Sequence, residues 1–264
     1  MPSLGKYYKW LVRTISLVAV LAAWQLIGSV VPVVVSTPSQ IASGFVYLLS
    51  ANVPIGIDQI SFLPELGATL WTFFVGFALA TILGVVTGAA MARWRVVENF
   101  FDPYITAFYN TPYVAIAPLF MILFGVGFTA RMIVVFLSVI FVVIINSYAG
   151  FKTANRDLVE TARSFGLSGL PLQLGVILPG AMPFISTGMR LGALRGLVGA
   201  IVAESVVQLV SLGYMILYFE EAVGLLNVEL AIVIVMAIIG LALTESMKYV
   251  ESSFSKWRVT AGST

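Results

Sequence analysis

The sequence contains no cysteine and no histidine. The first absence excludes disulfide frameworks and thiol nucleophiles; both together remove the ligands of most zinc sites and the commonest general base. Charge is scarce too: 10% of the 264 residues are Asp, Glu, Lys or Arg, where a soluble domain carries about 25%. The formal net charge is only +2 and the basic residues are scattered, which argues against nucleic acid as a partner. There is no GxxxxGKS/T phosphate loop, so ATP hydrolysis is not expected of this chain. Without His or Cys the sequence offers no evident cluster of catalytic groups, and no metal site and no cofactor are expected.

What the sequence does have is apolar length. It is 60% hydrophobic, with a mean hydropathy of +1.03, and too little polar surface remains to cover a water-soluble globule. A helix of roughly 20 apolar residues spans a bilayer. About six such runs occur, at 11–31, 67–91, 103–124, 129–150, 182–208 and 228–248, predicting an all-α polytopic membrane protein. The first run continues to Val35, longer than the core of a signal peptide, and is read as a span.

Lys and Arg mark the cytoplasmic side of such a protein. Lys6, Lys9, Arg13, Arg93, Arg95, Lys152, Arg156, Arg163, Lys248, Lys256 and Arg258 all fall on one side if both termini are cytoplasmic. The opposite loops hold Asp58, Glu65, Glu220, Glu221 and Glu229 against a single base, Arg131. The chain accordingly divides into a first span with an extracytoplasmic segment (1–66), a transmembrane core (67–248) and a cytoplasmic tail (249–264).

In the extracytoplasmic segment, Ser36-Thr37-Pro38 reads as a helix cap followed by a first-turn proline. Ile41, Phe45, Leu48 and Leu49 then share a helical face, which fits either a helix in the membrane interface or a packed loop with one helical turn. Small residues recur every fourth position at Gly76, Ala80, Gly84 and Gly88, and at Gly188, Gly192 and Gly196. Such stripes let helix backbones approach closely in lipid. The third run is irregular, with Pro103, Pro112 and Pro118 and the polar sequence Tyr109-Asn110-Thr111-Pro112-Tyr113. Two readings stay open: a broken helix lining a pathway, with Asn110, Thr111 and Tyr113 facing it, or a kink for packing.

Between the fourth and fifth runs, 152–179 is too rich in charge for hydrocarbon. Asn155 can cap a short helix with Asp157 in its first turn. Leu158, Ala162 and Phe165 share one face; Arg156, Glu160 and Arg163 take much of another. Gly166 is placed to end the helix in a left-handed conformation. A second amphipathic piece, Leu170 to Leu178, returns to the membrane at Pro179.

The spacing Glu160-Thr161-Ala162, Gly166, Val176, Leu178-Pro179 resembles the EAA loop of ABC importer permeases: Glu-Ala-Ala, three residues, Gly, nine residues, Ile-x-Leu-Pro. Thr161 and Val176 are mild departures. Phe101-Asp102-Pro103, Ala117-Pro118-Leu119 with Phe124-Gly125-Val126-Gly127, Gly188-Met189-Arg190 and Ala203-Glu204 extend the resemblance over nearly the whole chain. With Pro38 and Trp257, they are similar to the nitrate, sulfonate and taurine branch, which also includes importers of pyrimidine-type vitamin precursors.

The resemblance implies a type I importer transmembrane domain in the bacterial cytoplasmic (inner) membrane. It implies coupling to ATP-binding cassette ATPase subunits through Glu160, Thr161, Ala162, Arg163, Phe165, Gly166, Leu178 and Pro179. It further implies a second permease copy, as a homodimer, and an extracytoplasmic substrate-binding protein.

Arg190, Arg195 and Glu204 lie within the fifth run. At 100° per residue, Arg190, Glu204 and Gln208 share a face opposite the glycines, and Arg195 sits on the glycine side in need of its own partner. Glu204 and Gln208 either line the outer half of a pathway or bond between helices. A secondary transporter using Glu204 for ion coupling is the rival reading.

Overall fold

In the computed structural model, which describes residues 4–31, 36–50, 53–55, 58–113, 115–154, 156–207, 211–221 and 225–255, the apolar runs are helical. The long elements are α1 (Leu4–Val30), α3 (Phe62–Arg93), α6 (Phe128–Lys152), α9 (Leu178–Val207) and α11 (Leu226–Ser255). Among the described residues, five helical stretches are long and apolar enough to cross a membrane: Tyr7–Val30, Phe62–Arg93, Phe128–Lys152, Gly169–Val206 and Leu226–Tyr249.

The run at 103–124, expected as a sixth span, is instead two helices, α4 (Arg95–Tyr109) and α5 (Ala117–Phe124). Pro112, which has no amide to donate, stands in the gap, and Pro118 occupies the first turn of α5. The eight residues of α5 rise about 12 Å, far short of a hydrocarbon core of about 30 Å.

The segment expected to be extracytoplasmic forms α2 (Pro38–Leu49) and a small antiparallel hairpin, β1 (Val53–Ile55) and β2 (Asp58–Ile60), with Val53 opposite Ile60. That hairpin is the one departure from an all-helical reading among the described residues. Thr37 caps α2 through a reciprocal capping box: its Oγ1 accepts from the Gln40 amide at 3.3 Å, and its own amide donates to Gln40 Oε1 at 2.8 Å. Ile41 and Leu48 are buried while Leu49 is exposed, so α2 packs one face on the protein, chiefly on α11.

The core is a stack with α6 in the middle. Val134, Val135, Val139, Val142 and Val143 of α6 are all buried, between α3 on one side and α9 on the other. Both glycine stripes face this helix. A Cβ on Gly84 would lie 2.9 Å from Val143, one on Gly88 2.7 Å from Ser147, and one on Gly196 2.7 Å from Val139. A single helix of branched side chains thus receives smooth faces from two neighbours. α10 (Leu212–Glu221) closes the same end of the stack as α2, with Leu212, Met215 and Phe219 buried beside Val228.

α1 is nearly bare. Its apolar side chains are exposed along its length, and polar contacts from Gln25 to Ser39 tie it to α2 at 3.1 and 3.3 Å. Water does not tolerate such a surface; lipid does. At the other end of the stack, Lys152 pairs with Glu98 at 2.5 Å, and Tyr148 donates to the same carboxylate, fastening α4 to α6.

Candidate functional site

The charged interruption folds as α7 (Arg156–Ser164), α8 (Gly169–Leu172), a π-helical turn (Gln173–Ile177) and the start of α9. Asn155, the expected cap, lies outside the described residues. α7 ends as its glycine requires. Gly166 has φ +83°, its amide donates to Arg163 O at 2.9 Å, and the Leu167 amide donates to Ala162 O at 3.0 Å, which is a Schellman motif. The three residues of the expected apolar face part company here. Ala162 turns inward and is buried, while Leu158 and Phe165 are 55% and 84% exposed. A helix of polar composition therefore displays isolated large apolar side chains beside Glu160 and Arg163.

Pro179, where the amphipathic piece Leu170 to Leu178 was expected to return to the membrane, lies within a continuous helix. The helical path runs unbroken from Gly169 to Val206, and the π-turn shows how. Proline at 179 has no amide and its ring crowds the carbonyl four residues earlier, at Gly175. The preceding turn widens, and the Leu178 amide donates five residues back to Gln173 O. From Gly169 onward, loop and fifth span are one rod. A cavity of about 1070 Å³ separates the loop from the end of α3, with Arg93, Trp94, Arg163, Gly166, Gln173 and Leu178 on its walls.

The gap between α4 and α5 opens a second cavity, of about 370 Å³, toward α6 and α9. Thr111 and Tyr113 line it; Asn110 does not, its amide turning back to Thr106 O at 2.9 Å. Tyr113 donates to Phe108 O, and the rings of Phe108 and Tyr113 both stack on Phe141 of α6, with centroids 5.6 and 5.8 Å away. Arg195 reaches the same cavity from α9 and finds Tyr109: Nη2 donates to the hydroxyl at 3.1 Å, and the guanidinium lies 4.6 Å from the ring centroid.

Glu204 lies elsewhere. It is 1% exposed and accepts from Thr69 Oγ1 of α3 at 3.0 and 2.9 Å, from Arg131 Nη1 of α6 at 3.2 Å and from the Gly213 amide of α10 at 3.4 Å. Four helices meet on one carboxylate. Gln208, its expected companion, falls outside the described residues. Sequence reading named Glu204 but none of these partners. The clue was Arg131, the single base among acidic loops: an exception to the charge pattern that turns out to have a buried acid to meet.

A family model described as "Binding-protein-dependent transport system inner membrane component" matches residues 80–256. The putative aliphatic sulfonates transport permease protein SsuC of Escherichia coli is 31% identical over 94% of both chains. The taurine transport system permease protein TauC of the same organism is 28% identical over 92% of this chain and 88% of its own. Among solved structures, an inward-facing form of the MetNI methionine ABC transporter has a chain that superposes with a TM-score of 0.62. It covers 73% of this chain and 95% of its own at 14% identity, so the likeness there is one of fold.

Proposed function

This chain belongs to the family of binding-protein-dependent transport system inner membrane components, and from that premise we propose that it is the pathway-forming permease of an ATP-driven importer, driven through 152–179 by a separate ATPase. The observation that carries the proposal is the rod. α7 offers exposed Leu158 and Phe165 to a partner, ends rigidly at Gly166, and joins by a few residues a helix continuous from Gly169 to Val206. Force applied to α7 thus reaches Arg195 and Glu204 through one short turn, residues 165–168.

In this reading Glu160, Thr161, Ala162, Arg163, Phe165, Gly166, Leu178 and Pro179 form the coupling element. Thr161 and Ser164 keep their hydroxyls on backbone carbonyls within α7, at 2.7 and 3.1 Å, leaving Glu160, Arg163 and Phe165 for the partner. ATP-driven closure of two ATPase subunits moves α7 in each of two permease copies and swings α9 between inward and outward positions. An extracytoplasmic binding protein delivers the cargo, a small organic or inorganic anion of the sulfonate, taurine or nitrate kind, or a pyrimidine-type vitamin precursor. Both termini and the loop are cytoplasmic. Thr111 and Tyr113 stand at the pathway.

Gly166→Val and Glu160→Arg test the coupling. Holding a non-glycine residue in left-handed geometry costs roughly 1–2 kcal/mol, so the valine variant is expected to lower the fraction of permease that co-purifies with its ATPase roughly 5- to 30-fold. Normal assembly and normal transport in both variants would rule the lever out.

A further inference from the structure

Resting on the transport role just proposed, we infer that the 370 Å³ cavity beside the α4–α5 break is a small-anion site, with the Arg195 guanidinium as its countercharge. Arg195 lies midway along the apolar run 182–208. From the middle of a core about 30 Å thick, neither face is within reach of an arginine side chain, so snorkelling does not account for it. A cation at that depth keeps company with an acid, with water or with a ligand.

The acid is missing among the described residues. Glu204 is nine residues on, roughly 13 Å along the helix axis, and is already bonded to Arg131, Thr69 and Gly213. The partner Arg195 does have, Tyr109, is neutral: its hydroxyl and ring orient the guanidinium without cancelling its charge. Thr111, Ser138 and Tyr113 share the same walls, their hydroxyls donating to the carbonyls of Ala107, Val134 and Phe108, and the rest of the lining, Phe141, Leu194 and Val198 among it, is mainly apolar. The volume falls at the small end of ligand sites. An uncancelled guanidinium set in a mainly apolar wall suits an anionic head on a small carbon skeleton. A neutral heterocycle would leave that charge unanswered, so the site favours the anion class among the cargoes above.

The absence of native cysteine makes a direct test possible on the full-length chain in phosphatidylcholine nanodiscs, where no anionic lipid competes. Val198→Cys places a thiol on the cavity wall one turn from Arg195. Its reaction rates with 2-sulfonatoethyl methanethiosulfonate, itself an alkanesulfonate, and with the trimethylammonium analogue are compared as a ratio, normalised to that for 2-mercaptoethanol. The anionic reagent is expected to be favoured at least about fivefold. Adding Arg195→Gln should bring the ratio to about one, and Arg195→Lys should restore most of it. An unchanged ratio in the Arg195→Gln protein would overturn the inference; so would failure of both reagents to reach the thiol in folded protein. No ATPase takes part in this measurement, so loss of the coupling proposal and loss of the anion site are separable results.

Discussion

Glu204 shows how much a single carboxylate can hold. Thr69, Arg131 and Gly213 approach it from three other helices, so removing it leaves a guanidinium that is only 17% exposed without its anion. Breaking one side of a buried pair costs about 3–5 kcal/mol, whereas replacing both sides with apolar groups can be neutral. Glu204→Ala is therefore expected to lose about 3 kcal/mol or slightly less, the Arg131 side being partly open. Thermal unfolding in detergent should show the loss, and Glu204→Leu with Arg131→Met should recover much of it. Glu204→Gln keeps the shape and some of the hydrogen bonds. ATP-driven transport should survive that change, while a transporter coupled to ions through Glu204 would stop; the uptake assay chooses between the two.

At the same scale, Lys152 and then Tyr148 donate to Glu98 and hold its carboxyl below the ordinary value of 4.5. A group lowered on folding stabilises the fold above its unfolded value and ceases to as pH falls through its folded one. Glu98→Gln should lose that contribution at neutral pH and correspondingly flatten the acid limb below pH 4.5 in a thermal unfolding series.

Between elements, the decisive quantity is the distance from backbone to backbone. The four-residue interval of Gly76, Ala80, Gly84 and Gly88 was legible in the sequence as a close-packing face, but which helix it meets was not, because the partner α6 carries no matching small-residue stripe. What it carries are valines and Ser147, and a Cβ on Gly88 would stand 2.7 Å from Ser147 Cβ and 2.8 Å from the Tyr148 amide nitrogen. Backbone cannot step aside as a side-chain tip can. Gly88→Val is thus expected to push α3 off α6 at a cost of about 1–3 kcal/mol or more, read as a lower unfolding temperature in detergent. Gly67→Ala, in the same helix with nothing within 4 Å, should gain about 0.5–1 kcal/mol from helix propensity alone. The reverse order of stability would remove the packing argument.

Two features at this scale were legible only in part, the break at Pro112 as one of two open readings and the turn before Pro179 not at all, for a common reason. Proline signals a disturbed turn without saying how it is absorbed. Pro112 coincides with a gap that splits a span, while Pro179 is accommodated by a widened turn that preserves one. Hydrogen bonds to neighbouring turns decide between these outcomes, and they depend on what packs nearby. The cavity beside Pro112 escaped for the same cause, although Arg195 was visible as a residue in need of a partner and Tyr109, which meets it there, as part of the polar run.

For the whole molecule, the charge pattern makes a claim that the folded chain alone does not test: which side faces the cell. Local geometry does divide the ends. α7, with Glu160 and Arg163, lies at the end of the α3–α6–α9 stack where Lys152 meets Glu98, whereas α2, the hairpin and α10 lie at the other, where the lone Arg131 meets Glu204. Basic residues are retained on the cytoplasmic side of short loops, so α7 should be inside and α2 outside. Exposed positions on each allow the claim to be measured in a chain without native thiols: Leu158 on α7 and Ser50 at the end of α2. In intact cells a membrane-impermeant maleimide is expected to label Ser50→Cys and spare Leu158→Cys, with Leu158→Cys becoming reactive once the membrane is opened. The opposite pattern would invert the topology. It would also defeat the coupling proposal at once, because a loop facing outward meets no ATPase and no ATP.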